Sequence, residues 1–227
     1  MRGPRHCRLC KSASTRSFAA EGKGATKTYV RCEECGFVGL LPRCFPNKKE
    51  EKARYLLHTN DEKSKGYREY LERFLDQALS PYLRPGSSVL DFGSGPAEPP
   101  LLPSLIRARG YGCSIYDPYF APGRAWRARK FSAIALHEVV EHLRRPRQSL
   151  LYLVARLSPG GILAIRTRFV PDTVDAFIPW WYRMDSTHLG FFSPESLSRL
   201  FEPAGLKLLR SIEPDIMIFR ARKVSPQ

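Results

Sequence analysis

Short apolar runs alternate with helix-like segments over the C-terminal two thirds of the chain. The runs have the length of buried strands, and the segments between them carry apolar residues at helical spacing. Strands and helices that alternate in this way predict an α/β fold with a mostly parallel, Rossmann-like sheet. The four clearest runs are residues 89–90, 111–117, 131–136 and 162–165, and residues 157–161 predict a turn before the last of them.

Two helices are predicted ahead of this sheet. Residues 48–58 are strongly charged, and residues 67–78 place apolar side chains at helical spacing before prolines that end the helix. We therefore divide the chain into an N-terminal segment at 1–46, a helical linker or cap at 47–85, and a main domain at 86–227. The cap could cover the ligand edge of the sheet, and its polar and aromatic candidates are cofactor contacts or ordinary surface and packing residues. They are Tyr55, His58, Asn60 and Tyr67.

Composition and charge narrow the class of protein. The chain has 227 residues, 43% hydrophobic and 26% charged, which excludes wholesale disorder. No apolar run approaches the ~18 residues of a membrane span, and no secretory signal is evident, so we expect a cytoplasmic protein. The net charge of +15 suits a polyanion, an acidic small molecule or a membrane face, although many bacterial proteins are simply basic.

Four cysteines form two closely spaced pairs near the N-terminus. Cys7 and Cys10 make the first CxxC pair, and Cys32 and Cys35 make the second after 21 intervening residues. Two such turns can complete a tetrahedral thiolate site, so the spacing predicts a zinc ribbon over residues 1–46. Two disulfides and a redox pair are the alternatives, and a reducing cytoplasm disfavours the disulfides.

A glycine-rich turn follows the first strand of the main domain. Residues 89–95 read VLDFGSG, with Asp91 at the strand end and Gly93 and Gly95 in the turn before a helix. Glycines let the backbone approach a ligand closely, and a helix start supplies free N–H groups. The second strand ends in Asp117, where a carboxylate can accept both hydroxyls of a ribose. Turn or capping roles are the alternatives for these acids.

These motifs, taken in order, resemble the class I S-adenosylmethionine-dependent methyltransferases. The matching stretches are residues 89–95, Asp117, 138–142 (EVVEH), 157–161 (LSPGG) and 191–197 (FFSPESL). The whole chain also resembles a bacterial group in which a zinc ribbon precedes this domain. The resemblance implies cofactor-binding residues: Asp91, Gly93 and Gly95 at the methionine end, Asp117 at the ribose, and His137 and Glu138 beside the methyl group.

Two departures from the family pattern stand out. A third glycine is common in the first loop, but this chain has Ala97 there. Only the 13 residues 118–130 separate the second and third predicted strands, where the family usually has a helix and another strand. We therefore expect an abbreviated element and assign no adenine contact.

Candidate catalytic residues lie after two later strands. His188 is the candidate base, because an imidazole can take a proton near neutral pH, and a structural hydrogen bond is its alternative role. Glu138 is the second candidate catalytic residue. Glu138, Glu141 and His142 would share one face if a helix starts there. This trio resembles the divalent-metal residues of ubiquinone-pathway O-methyltransferases, or it has a structural or cofactor-edge role.

The leading hypothesis is an S-adenosylmethionine-dependent methyltransferase that carries structural zinc. Its acceptor would be a small or lipid-linked molecule methylated at oxygen or carbon. The alternative is methylation of ribosomal or transfer RNA, with the basic ribbon binding the nucleic acid. A non-catalytic cofactor-binding scaffold is a third reading, and the intact Asp91, Gly93, Gly95 and Asp117 argue against it.

Overall fold

The computed structural model describes residues 6–22, 24–57 and 65–223 and contains two sheets. The strands are β1 (Thr15–Glu21), β2 (Thr26–Cys32), β3 (Val38–Leu40), β4 (Ser88–Phe92), β5 (Gly112–Tyr116), β6 (Phe131–His137), β7 (Leu157–Arg166), β8 (Gly190–Phe191), β9 (Leu206–Ile212) and β10 (Ile216–Ala221). The helices are α1 (Lys48–Leu56), α2 (Lys65–Ala78), α3 (Leu101–Ala108), α4 (Pro146–Val154), α5 (Val174–Phe177) and α6 (Pro194–Phe201).

The larger sheet is the mostly parallel one that the alternating pattern predicts. Its order is β5-β4-β6-β7-β10-β9, with β4 to β7 parallel and β10 antiparallel to both of its neighbours. Helices α2 and α3 pack on one face, while α4 and α6 pack on the other. Because both faces are covered, the central strand β6 is apolar and buried along most of its length.

The abbreviated segment is confirmed at the edge of this sheet. Residues 118–130 contain a single short 3-10 helix, Ala125–Ala128, so β5 has no further strand beside it. One sequence prediction for this sheet is wrong: residues 157–161 belong to β7 rather than to a turn before it. An irregularity in the β6–β7 register lies there, since Phe131 pairs with Leu157 and Ala133 with Ile162. Glycine and proline therefore mark a bulged strand start.

The smaller sheet joins the N-terminal segment to the main domain. Its order is β1-β2-β3-β8, and all its pairings are antiparallel. Strand β8 lies far along the chain, and Val38 pairs there with Phe191 and Gly39 with Gly190. The division at 46 and 85 remains a prediction, but the ribbon and the main domain share one sheet.

The ribbon also shares a hydrophobic core with the main domain. Cys7, Cys35 and Phe37 are buried in the same cluster as Phe192 and Leu197. The rings of Phe37 and Phe192 lie 5.1 Å apart, and the Ser193 hydroxyl donates to the Cys35 carbonyl at 3.1 Å. A segment this short buries little apolar surface alone, so this shared packing stabilises it.

The described helices do not include one that could act as a membrane span, because none combines the necessary length with sufficient hydropathy.

We predict that the ribbon and the main domain unfold together. Phe37 is 2% exposed, so Phe37→Ala should cost about 3–5 kcal/mol and lower the midpoint of a single unfolding transition. Circular dichroism in guanidinium measures this, with the 70%-exposed Leu57→Ala as the matched control. A separate early transition, with the main one unmoved, would show that the two parts are independent.

Candidate active site

The ends of three parallel strands open into a cavity of about 940 Å³. Gly93 follows β4, Asp117 follows β5 and Glu138 follows β6, and all three line it. Ligands of open α/β sheets bind outside the carboxyl ends of the strands, so this is the expected position for a ligand. The structure brings together Asp91, Gly93, Gly95, Asp117, His137, Glu138 and His188 around this one cavity.

Asp117 fastens two loops of the cavity to each other. Its Oδ2 accepts the Gly95 N–H at 3.1 Å, and its Oδ1 accepts the N–H groups of Tyr119 at 2.8 Å and Phe120 at 3.1 Å. The Gly93 N–H also donates to the Tyr116 carbonyl at 2.7 Å. Asp117 therefore caps the glycine turn, and it also lines the cavity.

Gly93 is required for steric reasons. Its φ of +90° is left-handed, and a Cβ there would lie 2.5 Å from Val139 Cγ2. A side chain would meet the residue that follows Glu138, so the turn can approach the end of β6 only through glycine.

Asp91 is a buried carboxyl group whose hydrogen-bonding capacity is not fully used. It is 2% exposed, and its Oδ2 has no hydrogen-bond partner within the described chain. Burial, followed by the nearby Asp117 charge, raises the pKa of Asp91 to about 7. A group of this kind costs stability unless a ligand supplies a donor.

His137 is neutral at physiological pH. Its ring lies between the Tyr70 and Phe74 rings, with both centroids 5.0 Å away. Burial, and then the Arg166 charge, lowers the pKa of His137 to about 3. This imidazole borders the cavity as a neutral side chain and is a poor proton acceptor.

Glu138 is held in an unusual conformation by two tyrosines. Its φ of +55° lies in the left-handed region, which a residue other than glycine adopts at an energetic cost. The Tyr70 hydroxyl donates to Oε1 at 2.9 Å, and the Tyr182 hydroxyl lies 2.9 Å from Oε2. Such strain persists where the surroundings fix it, and it is concentrated at functional sites.

Tyr182 bridges two carboxyl groups with a single proton. Its hydroxyl also lies 2.7 Å from Glu141 Oε1, yet a phenol can donate only once. Both contacts are hydrogen bonds only when one carboxyl group is protonated and donates to the phenol. Burial is the first cause that raises the pKa values of Glu138 and Glu141 to about 7, which agrees with one retained proton.

His188 is oriented so that one ring nitrogen is a base. Its Nδ1 lies 2.7 Å from the Tyr182 carbonyl, which can only accept, so Nδ1 carries the proton. Nε2 is then the basic nitrogen of the neutral ring. The ring is 7% exposed and packs 4.2 Å from the Tyr182 ring.

The residues that could hold a second metal differ from the predicted trio. Only Val140–His142 form a 3-10 helix, so the expected helical face is absent. The cluster whose ligand atoms lie within 4.8 Å of one another consists of Glu141, His142 and His188. Glu138 instead forms hydrogen bonds with Tyr70 and Tyr182.

Helix α1 closes one side of the cavity. Glu51 accepts hydrogen bonds from Tyr119 at 2.9 Å and Tyr55 at 3.0 Å, and Arg54 pairs with Asp185 at 2.7 Å. Tyr55 and Tyr67 line the cavity as their position predicts, whereas His58 and Asn60 lie outside the described residues. Sequence reasoning missed Glu51 and Tyr70, whose helical patterns resemble ordinary surface and packing.

The four ribbon cysteines have the arrangement that a tetrahedral metal needs. The Sγ atoms lie 3.9 Å apart for Cys7 and Cys35 and 3.6 Å apart for Cys10 and Cys32. All four lie within 4.8 Å of one another and form no disulfide. Zinc–sulfur bonds of about 2.3 Å place tetrahedral sulfur atoms about 3.8 Å apart, so the cluster fits zinc.

The family is decided by comparison with known proteins. A model of the methyltransferase domain family matches residues 64–211, which is more than half of the chain. The chain belongs to the methyltransferase domain family. The chain has no match among the curated proteins.

Solved structures show that its fold is the class I methyltransferase fold. One is an O-methyltransferase family protein from Burkholderia thailandensis, at 15% identity and a TM-score of 0.56, covering 78% of this chain and 64% of that one. Another belongs to a complex of the Haloferax volcanii Trm112 methyltransferase activator with a methyltransferase, at 12% identity and a TM-score of 0.53, covering 77% and 98%. The chain thus spans less than two thirds of the Burkholderia protein.

We predict that Asp91→Asn makes the protein more stable above the pKa of the buried Asp91. The pKa of Asp91 is raised from 3.8 to about 7 on folding, so its destabilising effect grows between these pH values and is complete above them. The variant should therefore melt higher than wild type at pH 8, and the difference should vanish near pH 4. Differential scanning calorimetry measures this, with exposed Asp172→Asn as control, and a variant less stable at pH 8 would contradict it.

Proposed function

We propose that the protein transfers a methyl group from S-adenosylmethionine to an oxygen or carbon atom of a small or lipid-linked acceptor. The observation that carries this proposal is the crevice in which Asp91, Asp117 and Glu138 end three adjacent strands around one cavity. Family membership supports the reaction class, because S-adenosylmethionine dependence is typical of the fold.

The crevice has groups that suit this cofactor. The unpartnered Oδ2 of buried Asp91 can accept from the methionine ammonium group. The carboxylate of Asp117 retains acceptor capacity for ribose hydroxyls beyond its three backbone donors. Gly93 and Gly95, both with positive φ, allow the cofactor to lie close to the backbone between these acids. His137 and Glu138 then border the methyl group.

The reaction needs alignment and, for a hydroxyl acceptor, removal of a proton. The acceptor atom forms a bond to the methyl carbon as the carbon–sulfur bond breaks, and the sulfonium becomes a neutral thioether. His188 Nε2 takes the acceptor proton, since its Nδ1–H is held by the Tyr182 carbonyl. Glu138, Tyr182 and Glu141 supply a polar wall that accommodates one proton.

Zinc at Cys7, Cys10, Cys32 and Cys35 is proposed as a structural component. A thiolate site suits the reducing cytoplasm, where we place the protein. The bound metal would hold the two turns of the ribbon and thereby support strand β3, which pairs with β8 next to His188.

RNA methylation receives less support from the contacts of the ribbon. Arg8 donates to the carbonyls of Leu189 at 2.7 Å and Arg144 at 3.3 Å, and Arg31 donates to that of Pro171 at 3.0 Å. These guanidinium groups fasten the ribbon to the main domain and are not presented to a phosphate backbone. Affinity for RNA that falls steeply with salt would restore this alternative.

The cofactor assignment predicts a large loss of binding in Asp117→Ala. The carboxylate both faces the ribose and fixes the glycine turn, so the affinity for S-adenosylhomocysteine should fall about tenfold or more. Isothermal titration calorimetry measures this, with the exposed Asp76→Ala as control. Equal affinities of wild type and Asp117→Ala would refute the ribose assignment.

The zinc assignment predicts about one equivalent of zinc per chain by elemental analysis. Cys35→Ser should lose the metal and the ribbon structure, because three thiolates cannot complete the site. Cys44→Ser is the matched control, since Cys44 lies outside the cluster, and it should retain the metal. Less than half an equivalent in wild type after clean expression would count against zinc.

A further inference from the structure

Three cationic side chains line the cavity and come from three parts of the chain. Lys27 belongs to strand β2 of the ribbon, Arg54 to helix α1, and Arg183 to the 3-10 helix Trp181–Met184. They form what we call the cationic wall, defined by Lys27, Arg54 and Arg183. Lys27 thus brings a residue of the ribbon to the lining of the cavity.

Arg183 is buried without full compensation. It is 4% exposed, and its Nε donates to the Ile178 carbonyl at 2.6 Å. The guanidinium also lies beside the Tyr29 hydroxyl, but its buried Nη1 has no hydrogen-bond partner within the described chain. A guanidinium cannot lose its charge at physiological pH, so a buried N–H without an acceptor favours an anionic ligand.

Lys27 reaches the same region from the ribbon. It is half-buried, and burial is the first cause that lowers its pKa. Cys44 and Asp185 raise it, and the charge of Arg183, the smallest of these influences, lowers it. Lys27 therefore lies within electrostatic range of both Asp185 and Arg183 on the cavity lining, where a bound anion would be attracted by both cations.

The neighbouring carboxylate is already engaged. Asp185 Oδ2 accepts from Arg54 at 2.7 Å, and its Oδ1 accepts from the Thr187 N–H at 2.9 Å and hydroxyl at 2.6 Å. Asp185 is thus committed to Arg54, whereas Lys27 and Arg183 form no ion pair among the described residues. These two charges are available to a ligand.

We propose that the cationic wall binds a carboxylate or phosphate group of the methyl acceptor, and that the ribbon determines acceptor specificity through Lys27. This proposal rests on the proposed methyltransferase function and names the chemical class of its acceptor. Two aromatic residues beside Arg183, Trp181 and Tyr182, also line the cavity and can flank an aromatic or planar acceptor. The acceptor is then an acidic small molecule with its anionic group at the ribbon side of the cavity.

The test uses small anions and a neutral isostere on the full-length protein saturated with S-adenosylhomocysteine. Benzoate, phenyl phosphate and benzamide are titrated by calorimetry at constant ionic strength. We expect at least one of the two anions to bind about tenfold or more tightly than benzamide. Comparing benzoate with phenyl phosphate distinguishes a carboxylate from a phosphate.

Lys27→Gln removes the positive charge that the ribbon contributes and leaves a shorter, uncharged polar side chain. This variant should abolish the preference for the anion, and the exposed Lys207→Gln on β9 should leave it intact. No preference for either anion in wild type, or a preference that survives in Lys27→Gln, would overturn the proposal.

The affinity for S-adenosylhomocysteine separates this proposal from the one on which it rests. If wild type binds S-adenosylhomocysteine without any anion preference, the acceptor assignment fails while the methyltransferase proposal stands. If Lys27→Gln weakens S-adenosylhomocysteine itself about tenfold, the wall serves the carboxylate of the cofactor, and the acceptor assignment is wrong. If S-adenosylhomocysteine does not bind wild type, the proposed function itself fails.

Discussion

The pairing of the ribbon with strand β8 is the constraint on which the active site depends. Leu189 links the two parts: its N–H donates to the Glu141 carbonyl at 2.7 Å, and its carbonyl accepts from the Leu40 N–H at 3.0 Å and from Arg8 at 2.7 Å. His188 immediately precedes this residue. The candidate base is thus held between the ribbon and the turn that carries Glu141, although the ribbon is far from both in sequence.

Around the contact between the ribbon and strand β8, the protein buries several ionisable groups whose burial lowers its stability. Asp91, Glu138 and Glu141 have raised pKa values because burial disfavours their charged forms, and Glu138 also has a positive φ. Stability alone would favour neutral side chains at these positions. Their concentration around one cavity is the pattern expected when pKa values and backbone geometry serve ligand binding and catalysis.

Local sequence patterns were sufficient to predict which of the residues proposed to bind the cofactor lie close together. Asp91, Gly93, Gly95 and Asp117 lie at strand ends, and parallel strands place such ends together, so their proximity follows from the topology. The four cysteines were found for a similar reason, because CxxC spacing encodes the geometry of a metal turn. The missing edge strand was also visible, since residues 118–130 are too few to form it together with a helix.

The part of the cavity proposed for the acceptor could not be predicted from local patterns in the same way. The ribbon, α1 and the loop before β8 converge at the cavity and bring together Lys27, Arg54 and Tyr182. No local pattern in the sequence predicts a convergence of segments that are so far apart in the chain. Glu138, Glu141 and His142 would have shared one face only if a helix started there, and the structure has instead a short 3-10 helix over Val140–His142. The left-handed backbone of Glu138, an L-residue that rarely adopts it, gave no sequence signal.

The central claim is that the ribbon and the loop that carries His188 form one structural unit, and hydrogen exchange of individual amides tests it most directly. Exchange is compared in the metal-loaded protein and after chelation of the metal. The account predicts that the Leu40 and Leu189 amides lose protection together, while amides in the middle of β6 keep theirs. Loss of protection in the ribbon with Leu189 unchanged would contradict it, as would no response of the ribbon to chelation.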